Sequence, residues 1–188
     1  MRLFLAVWLS EELQKIVGDW LGKITAGSSG IKWVFPGQLH FTLKFLGEQD
    51  PDFLTALTPY LRRVAATTSS FPLNLAGGGT FPPRRPPRVL WLGVDEGRSE
   101  LTALAGRLEA VVQEVSAGKL APEKRGFKPH LTIGRVKSEA PLYDRKLLET
   151  GVKGLMTVNG FSLVESKLTP QGPRYRDLEK YFLQDTFF

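Results

Sequence analysis

The sequence predicts an α+β fold made of two pseudo-symmetric lobes, each an antiparallel-rich sheet with helices on its outer side, around a central cleft. Three observations carry that reading. The stretches His40-Phe41-Thr42-Leu43 and His130-Leu131-Thr132-Ile133 each begin with one of the chain's two histidines and repeat one pattern of His, apolar, Thr, aliphatic. Strand-like and helix-like periodicities precede each stretch in the same order. Finally, Arg88-Val89-Leu90-Trp91-Leu92-Gly93-Val94 echoes Arg2-Leu3-Phe4-Leu5-Ala6-Val7, so the plan begins a second time.

The opening run from Met1 to Leu9 is apolar apart from Arg2 and meets Glu11-Glu12 where a signal peptide would need a small-residue cleavage site. It reads as the buried first strand of a cytoplasmic protein. Ser10 is placed to cap a helix whose apolar face is Leu13, Ile16, Val17, Trp20 and Leu21, and Gly27-Ser28-Ser29-Gly30 stops it. A short strand around Ile31 to Phe35 and a turn at Pro36-Gly37 lead to the first histidine strand, which ends at Gly47. There Phe41, Leu43 and Phe45 alternate with His40, Thr42 and Lys44, which puts the His, the Thr and the Lys on one face. Asp50-Pro51 is a cap followed by a first-turn proline, and Phe53, Leu54, Leu57, Tyr60 and Leu61 supply that helix's apolar face.

Between the halves, Phe71 to Leu75 suits a strand. Gly77-Gly78-Gly79 lacks the Lys and Ser/Thr of a phosphate-cradling loop, and the Pro82–Pro87 segment reads as a stiff exposed connector. The second half repeats the order: the Arg88–Val94 strand, a helix capped by Ser99 and carrying Leu101, Leu104, Leu108, Val111, Val112 and Val115, the second histidine strand, and a short helix starting at Pro141. Pro51 and Pro141 both lie eleven positions after their histidine. Strands follow around Leu155 to Val158, Phe161 to Thr169 and Tyr175 to Leu183. The chain is therefore expected to be a single domain, 1–188, of two interleaved lobes, with repeat units of roughly 1–66 and 88–150 and with 151–188 completing the sheets.

Composition narrows the function. With 188 residues, 42% hydrophobic and 23% charged, the chain can bury a sizeable core. The absence of cysteine excludes disulfides and thiolate nucleophiles, and no run of eighteen apolar residues offers a membrane-spanning helix. A net charge of +6 and a pI of about 9.7 favour an anionic partner such as a nucleic acid, although basic solvated surfaces have the same signature. Nothing argues for a dimer, and the expectation is a monomer.

A lone strand histidine is more often structural than functional, and Thr is in any case a good strand former. Two His-x-Thr units at matched points of a repeat are harder to assign to folding alone. Imidazole is the side chain of which one copy can be neutral and another protonated near neutral pH. A facing pair suits concerted acid–base work: one ring takes a proton from the nucleophile while the other gives one to the leaving group. The neighbouring hydroxyls can donate to an anionic oxygen, and a phosphodiester, with attack and departure in line, fits such a cleft. Two histidines with no cysteine are too few ligands for a metal, and Glu48 is eight positions beyond His40.

These motifs resemble the two-histidine (2H) phosphoesterases. Arg2-Leu3-Phe4-Leu5-Ala6, His40 through Gly47 and Phe127 through Arg135 are similar to the RNA 2′,3′-cyclic phosphodiesterases of bacteria and archaea, a branch also called 2′-5′ RNA ligase. The resemblance implies hydrolysis of a 2′,3′-cyclic phosphate at an RNA 3′ end to a 2′-phosphomonoester, with neither metal nor cofactor. It makes His40 the proton donor, His130 the proton acceptor, and Thr42, Thr132 and Arg135 the phosphate-binding set. The residues themselves leave the two histidine roles interchangeable. Under strict alternation Arg135 faces away from His130 and reaches the cleft only if the strand bulges or ends near Gly134. Lys44 either lines the cleft or sits solvated at the strand end. Phe127, in the basic loop Lys124–Pro129, either stacks on a base or packs beneath the loop. The rival readings are a relative acting on a 2′-5′ oligonucleotide or an ADP-ribose cyclic phosphate, and a non-catalytic RNA-binding module. Reverse 2′-5′ ligation would use the same groups.

Overall fold

A computed structural model describes residues 1–83, 86–122 and 126–185. In chain order the elements are β1 (Arg2–Trp8), α1 (Glu11–Thr25), β2 (Ile31–Trp33), a 3-10 turn (Pro36–Gln38), β3 (His40–Glu48), α2 (Pro51–Ala66), β4 (Phe71–Phe81), β5 (Val89–Val94), α3 (Arg98–Val115), β6 (Leu131–Val136), α4 (Arg145–Thr150), β7 (Gly154–Val158), β8 (Gly160–Thr169) and β9 (Gly172–Phe182). The strands form two antiparallel sheets, of order β3-β1-β8-β9 and β2-β6-β5-β4-β7. The run β3-β1-β8-β9 matches β6-β5-β4-β7 position for position, so the fold is α+β with two like sheets. The chain crosses between them: β4 leaves the first half to pair with β5, and β8 returns from the end of the chain to pair with β1.

One large apolar core fills the space between the helices and the sheets, with Leu3, Leu5, Phe41, Leu90, Leu131 and Ile133 almost fully buried in it. A second, smaller cluster, Phe4, Ala6 and Val164 with Trp8 and Tyr175 against it, lies on the other face of the first sheet. β1 is therefore covered on both sides, which explains a run that shows no alternation. α2 packs on α3, α1 on β7 and α4 on β4.

The caps expected at Ser10 and Asp50 form: Ser10 Oγ accepts from the Leu13 N–H at 3.2 Å and Asp50 Oδ1 from the Phe53 N–H at 2.8 Å. Two expected helix starts move. α3 begins two residues before Ser99, at the N-cap Gly97, whose φ of 80° only glycine adopts freely and whose carbonyl accepts from the N–H of the buried Leu101 at 2.9 Å. Pro141 starts no helix. The adjacent Leu142 exchanges backbone bonds of 2.9 and 3.0 Å with Ser29, and the short helix waits for Asp144, whose carboxylate caps Leu147 at 2.8 Å. β4 also runs on through the glycine triplet to Phe81 instead of ending at Leu75. A Cβ on Gly79 would stand 2.7 Å from the Trp91 ring, so glycine here makes room for the indole.

Candidate active site

Both histidine strands carry a β-bulge one residue beyond the motif threonine. In β3, Ala6 pairs with Thr42 and Leu5 with Lys44, leaving Leu43 as the extra residue; in β6, Trp91 pairs with Thr132 and Leu90 with Gly134, leaving Ile133 extra. A bulge reverses the facing of everything after it. His40 and Thr42 keep to the cleft face while Phe41 and Leu43 enter the core. Lys44 then turns into the core as well, and Phe45 turns out, 61% exposed. The same shift in β6 sends Gly134 toward the Ile31 and Trp33 side chains and turns Arg135 back to the side of Thr132. Arg135 thus reaches the cleft by the bulge that strict alternation lacked.

The two imidazoles are held alike. His40 Nδ1–H donates to the carbonyl of Gln38 and His130 Nδ1–H to that of Lys128, each at 2.7 Å and each two residues back. A carbonyl only accepts, so the proton of the neutral ring is on Nδ1 and Nε2 is left to act as base, or as donor once protonated. No described residue engages the hydroxyl of Thr42 or Thr132, and both residues are half-buried. β3 and β6 touch where the sheets meet. The Arg135 guanidinium, although on the second histidine's strand, acts electrostatically on His40 and on Tyr175. Burial, and after it the charge of Arg135, hold the His40 imidazole below its usual pKa, against the Gln38 hydrogen bond that favours its cation. Burial pushes the Tyr175 phenol up, so it is neutral.

The linings differ. The His40 ring is surrounded by Phe4, Trp8 and Tyr175 at centroid distances of 5.0, 5.1 and 5.3 Å. Asp177 fixes the indole, accepting from Trp8 Nε1–H at 2.9 Å and from the Ser162 hydroxyl at 3.2 Å. Beyond Trp8 and Tyr175 opens a hollow of about 570 Å³, lined also by Gln38, Asp177 and Lys180. Among the described residues His130 meets one ring, Phe81 at 5.2 Å, which stacks on Trp91. None of these aromatics was singled out from the sequence. The available signal was β1 itself: apolar side chains at both odd and even positions mean that its second face also covers something, and that face is the floor of the site.

The profile of the 2′-5′ RNA ligase superfamily matches residues 10–167. This chain belongs to that superfamily. The RNA 2′,3′-cyclic phosphodiesterase of Archaeoglobus fulgidus is 38% identical over 184 residues, 96% of this chain and 99% of the relative. Among solved structures, a Thermus thermophilus protein superposes with a TM-score of 0.84 at 34% identity, covering 100% of both chains. E. coli LigT complexed with 3′-AMP gives 0.80 at 28% identity over 97% of each. The resemblance drawn from the two motifs therefore holds along nearly the whole chain.

Lys44 and Phe127, each with a substrate contact as one of its two readings, both lie against the core. Lys44 is buried at 6% exposure, with Nζ 2.7 Å from Glu109 of α3, because the bulge at Leu43 turns it away from His40. Phe127 packs, half-buried, against the main core, the second of its two expected arrangements. Lys124 and Arg125 of its loop, and Arg84 and Arg85 of the proline-rich connector, lie outside the described residues. Among the described residues no three His, Cys, Asp or Glu side chains gather as a metal site would require, and no helix is long and apolar enough to cross a membrane.

Proposed function

We propose that this protein hydrolyses the 2′,3′-cyclic phosphate at an RNA 3′ end to a 2′-phosphomonoester, by acid–base catalysis between His40 and His130 and without a metal. The observation that carries the reading is the matched pair of clamped imidazoles, each offering Nε2 beside an unengaged threonine hydroxyl. Relatives named RNA 2′,3′-cyclic phosphodiesterase supply the substrate class. LigT, by its 3′-AMP complex, is a relative that accommodates a ribonucleotide. The two interleaved lobes act together as one domain, 1–188, and as a monomer.

In this reaction water adds to phosphorus as the P–O3′ bond breaks. His130 Nε2 takes the proton of the water, and His40 Nε2–H gives a proton to the departing 3′ oxygen. Thr42, Thr132 and Arg135 hold the non-bridging oxygens, neutralising charge that grows in the transition state. The lining distinguishes the two histidines. The leaving oxygen belongs to the ribose, so the nucleoside must lie on the acid's side. Among the described residues three rings and an adjoining hollow are on the side of His40, against one ring at His130. In the free protein His40 is poised to be neutral. A bound phosphodiester, pairing its negative charge with Arg135, removes one cause of that shift and favours the protonated, donating form.

The test is an oligonucleotide ending in a 2′,3′-cyclic phosphate, incubated with protein in EDTA. The expected product is the 2′-phosphomonoester, and His40→Ala and His130→Ala each abolish it. Formation of the 3′ isomer, a rate that collapses with EDTA, or normal turnover by either variant would overturn the proposal. RNA binding without turnover would leave only a binding module.

A further inference from the structure

The aromatic wall of His40 is anchored from the opposite edge of its sheet. Trp8 pairs with His40 in register across β1 and β3, and its indole meets the imidazole at 5.1 Å and 62°. Trp8 Nε1–H donates to Asp177 Oδ1 on the edge strand β9 at 2.9 Å. The hydroxyl of Ser162, buried on the intervening β8, donates to Asp177 Oδ2 at 3.2 Å, and Lys180 Nζ lies 3.6 Å from the same oxygen. One carboxylate thus joins β1, β8 and β9 behind a ring that touches His40. The second half has no such anchor among the described residues: Trp91, which stacks on the Phe81 ring against His130, has its buried Nε1 without a partner.

We infer that Asp177 is a positioning residue for the proton donor, holding His40 Nε2 in line with the departing oxygen through the Trp8 indole. The inference rests on the proposed hydrolysis, in which His40 protonates the 3′ oxygen. The bond from Nδ1–H to the Gln38 carbonyl fixes one atom of the imidazole and leaves the ring free to swing about that contact. Nε2 is on the far side of the ring, where a swing displaces it most. Neighbouring rings limit the swing, but an aromatic contact alone is weak and permits sliding. A charge-assisted hydrogen bond, to a carboxylate whose other oxygen is itself engaged, gives the indole a single orientation. Asp177 works by geometry and not by its charge. The charge that acts on His40 is that of Arg135, from β6, whereas the charge of Asp177 is met by Lys180. Of the other groups against the imidazole, Phe4 and Trp8 of β1 carry no charge and Tyr175 of β9 is neutral.

The experiment measures kcat and KM on an oligonucleotide ending in a 2′,3′-cyclic phosphate, and the His40 titration by NMR. The proteins are wild type, Asp177→Ala, Asp177→Asn, Trp8→Phe, and Trp8→Phe combined with Asp177→Ala. Asp177→Ala is expected to lower kcat about tenfold with KM little changed, since a misplacement of about 1 Å costs about a hundredfold. Its His40 pKa should rise, because a loosened indole admits water to the ring. Asp177→Asn keeps an acceptor for the indole N–H and should restore both. Trp8→Phe has no N–H to be held, so it should match Asp177→Ala, and the double variant should be no worse than either. An unchanged kcat in Asp177→Ala, a loss confined to KM, additive losses in the double variant, or an Asp177→Asn as impaired as Asp177→Ala each overturns the positioning role, while wild-type turnover keeps the proposed function standing. If Asp177→Ala does not fold, Trp8→Phe decides: a lowered kcat with a raised His40 pKa supports the role and an unchanged kcat overturns it. Absence of wild-type turnover overturns the hydrolysis itself, and the role with it.

Discussion

Replacing Glu109 with alanine should destabilise the fold by about 2–4 kcal/mol and spare the chemistry of the cleft. The Lys44 side chain is 5% exposed and that of Glu109 25%. Without the carboxylate, the ammonium keeps only the Ala121 carbonyl at 3.4 Å. Breaking a buried pair from one side costs about 3–5 kcal/mol; partial solvation of Glu109 reduces this to the stated range. In a chain of this length each kcal/mol moves Tm by about 2–4 °C, so a loss of about 3 kcal/mol lowers it by about 6–12 °C. Lys44→Met is the milder change, about 1 kcal/mol or less, because it removes the buried charge itself and leaves Glu109 partly hydrated and held by Gln113 Nε2 at 2.9 Å. The double variant should recover most of the lost stability. Thermal unfolding by circular dichroism gives the Tm values, and kcat/KM on a cyclic-phosphate oligonucleotide reads the cleft. A Lys44→Met protein with wild-type Tm and a tenfold or greater loss of kcat/KM would place the lysine beside the substrate and refute the bulge argument.

With two histidines in the chain, imidazole titration by NMR is readily assigned from single variants. His40 should titrate below 6.5, and Arg135→Gln should move it upward, because the guanidinium is one cause of the depression; a downward or absent shift would separate Arg135 from the site. The folded value being the lower one, the stability that neutral His40 provides above pH 6.5 is lost as pH falls through the folded pKa. Gly79→Ala should cost about 1–3 kcal/mol by overpacking, its Cβ arriving 2.7 Å from the Trp91 ring. It should also lower kcat, since Trp91 stacks on Phe81 and Phe81 abuts His130. An unchanged Tm would show that the indole has room to move.

Much of this architecture was legible in the chain because it rests on local chemistry. The caps at Ser10 and Asp50, the helix faces and the paired His-x-Thr strands follow from side-chain type and spacing alone. What was hidden depends on partners distant in sequence. A bulge is a mismatch between two strands, so β3 alone cannot show that Leu43 is the extra residue; β1 must be laid beside it. Hence strict alternation puts Lys44 on the face of His40 and Phe45 on the core face, the reverse of the structure. Gly134 allowed the corresponding shift at Arg135 to be foreseen as a condition. The moved helix starts have the same origin: Ser99 and Pro141 are plausible openings, but the burial of Leu101 and the bridge between Ser29 and Leu142 select Gly97 and Asp144. Tyr175 and Trp8 carry no local motif and gain meaning only when β9 and β1 bring them to His40.

Two equivalent imidazoles do not by themselves give a reaction a direction. The backbone here is symmetric at the site: the same Nδ1 clamp two residues back, the same bulge after the threonine, the same neighbouring strand. A substrate with phosphorus at the midpoint would see either histidine as acid. The asymmetry comes from side chains the symmetry does not dictate. At the fifth position after the histidine one half has Phe45 and the other Arg135; against the ring itself one half has Phe4, Trp8 and Tyr175 and the other Phe81. On the proposed reaction the nucleoside takes the His40 side and water the other, and the guanidinium acts on His40 across the junction. Exchanging the lining while keeping both histidines, clamps and bulges should reverse which ring donates the proton without moving a backbone atom. On that proposal the strands supply the acid–base pair, and the aromatic and cationic residues around it set the sense in which the pair works.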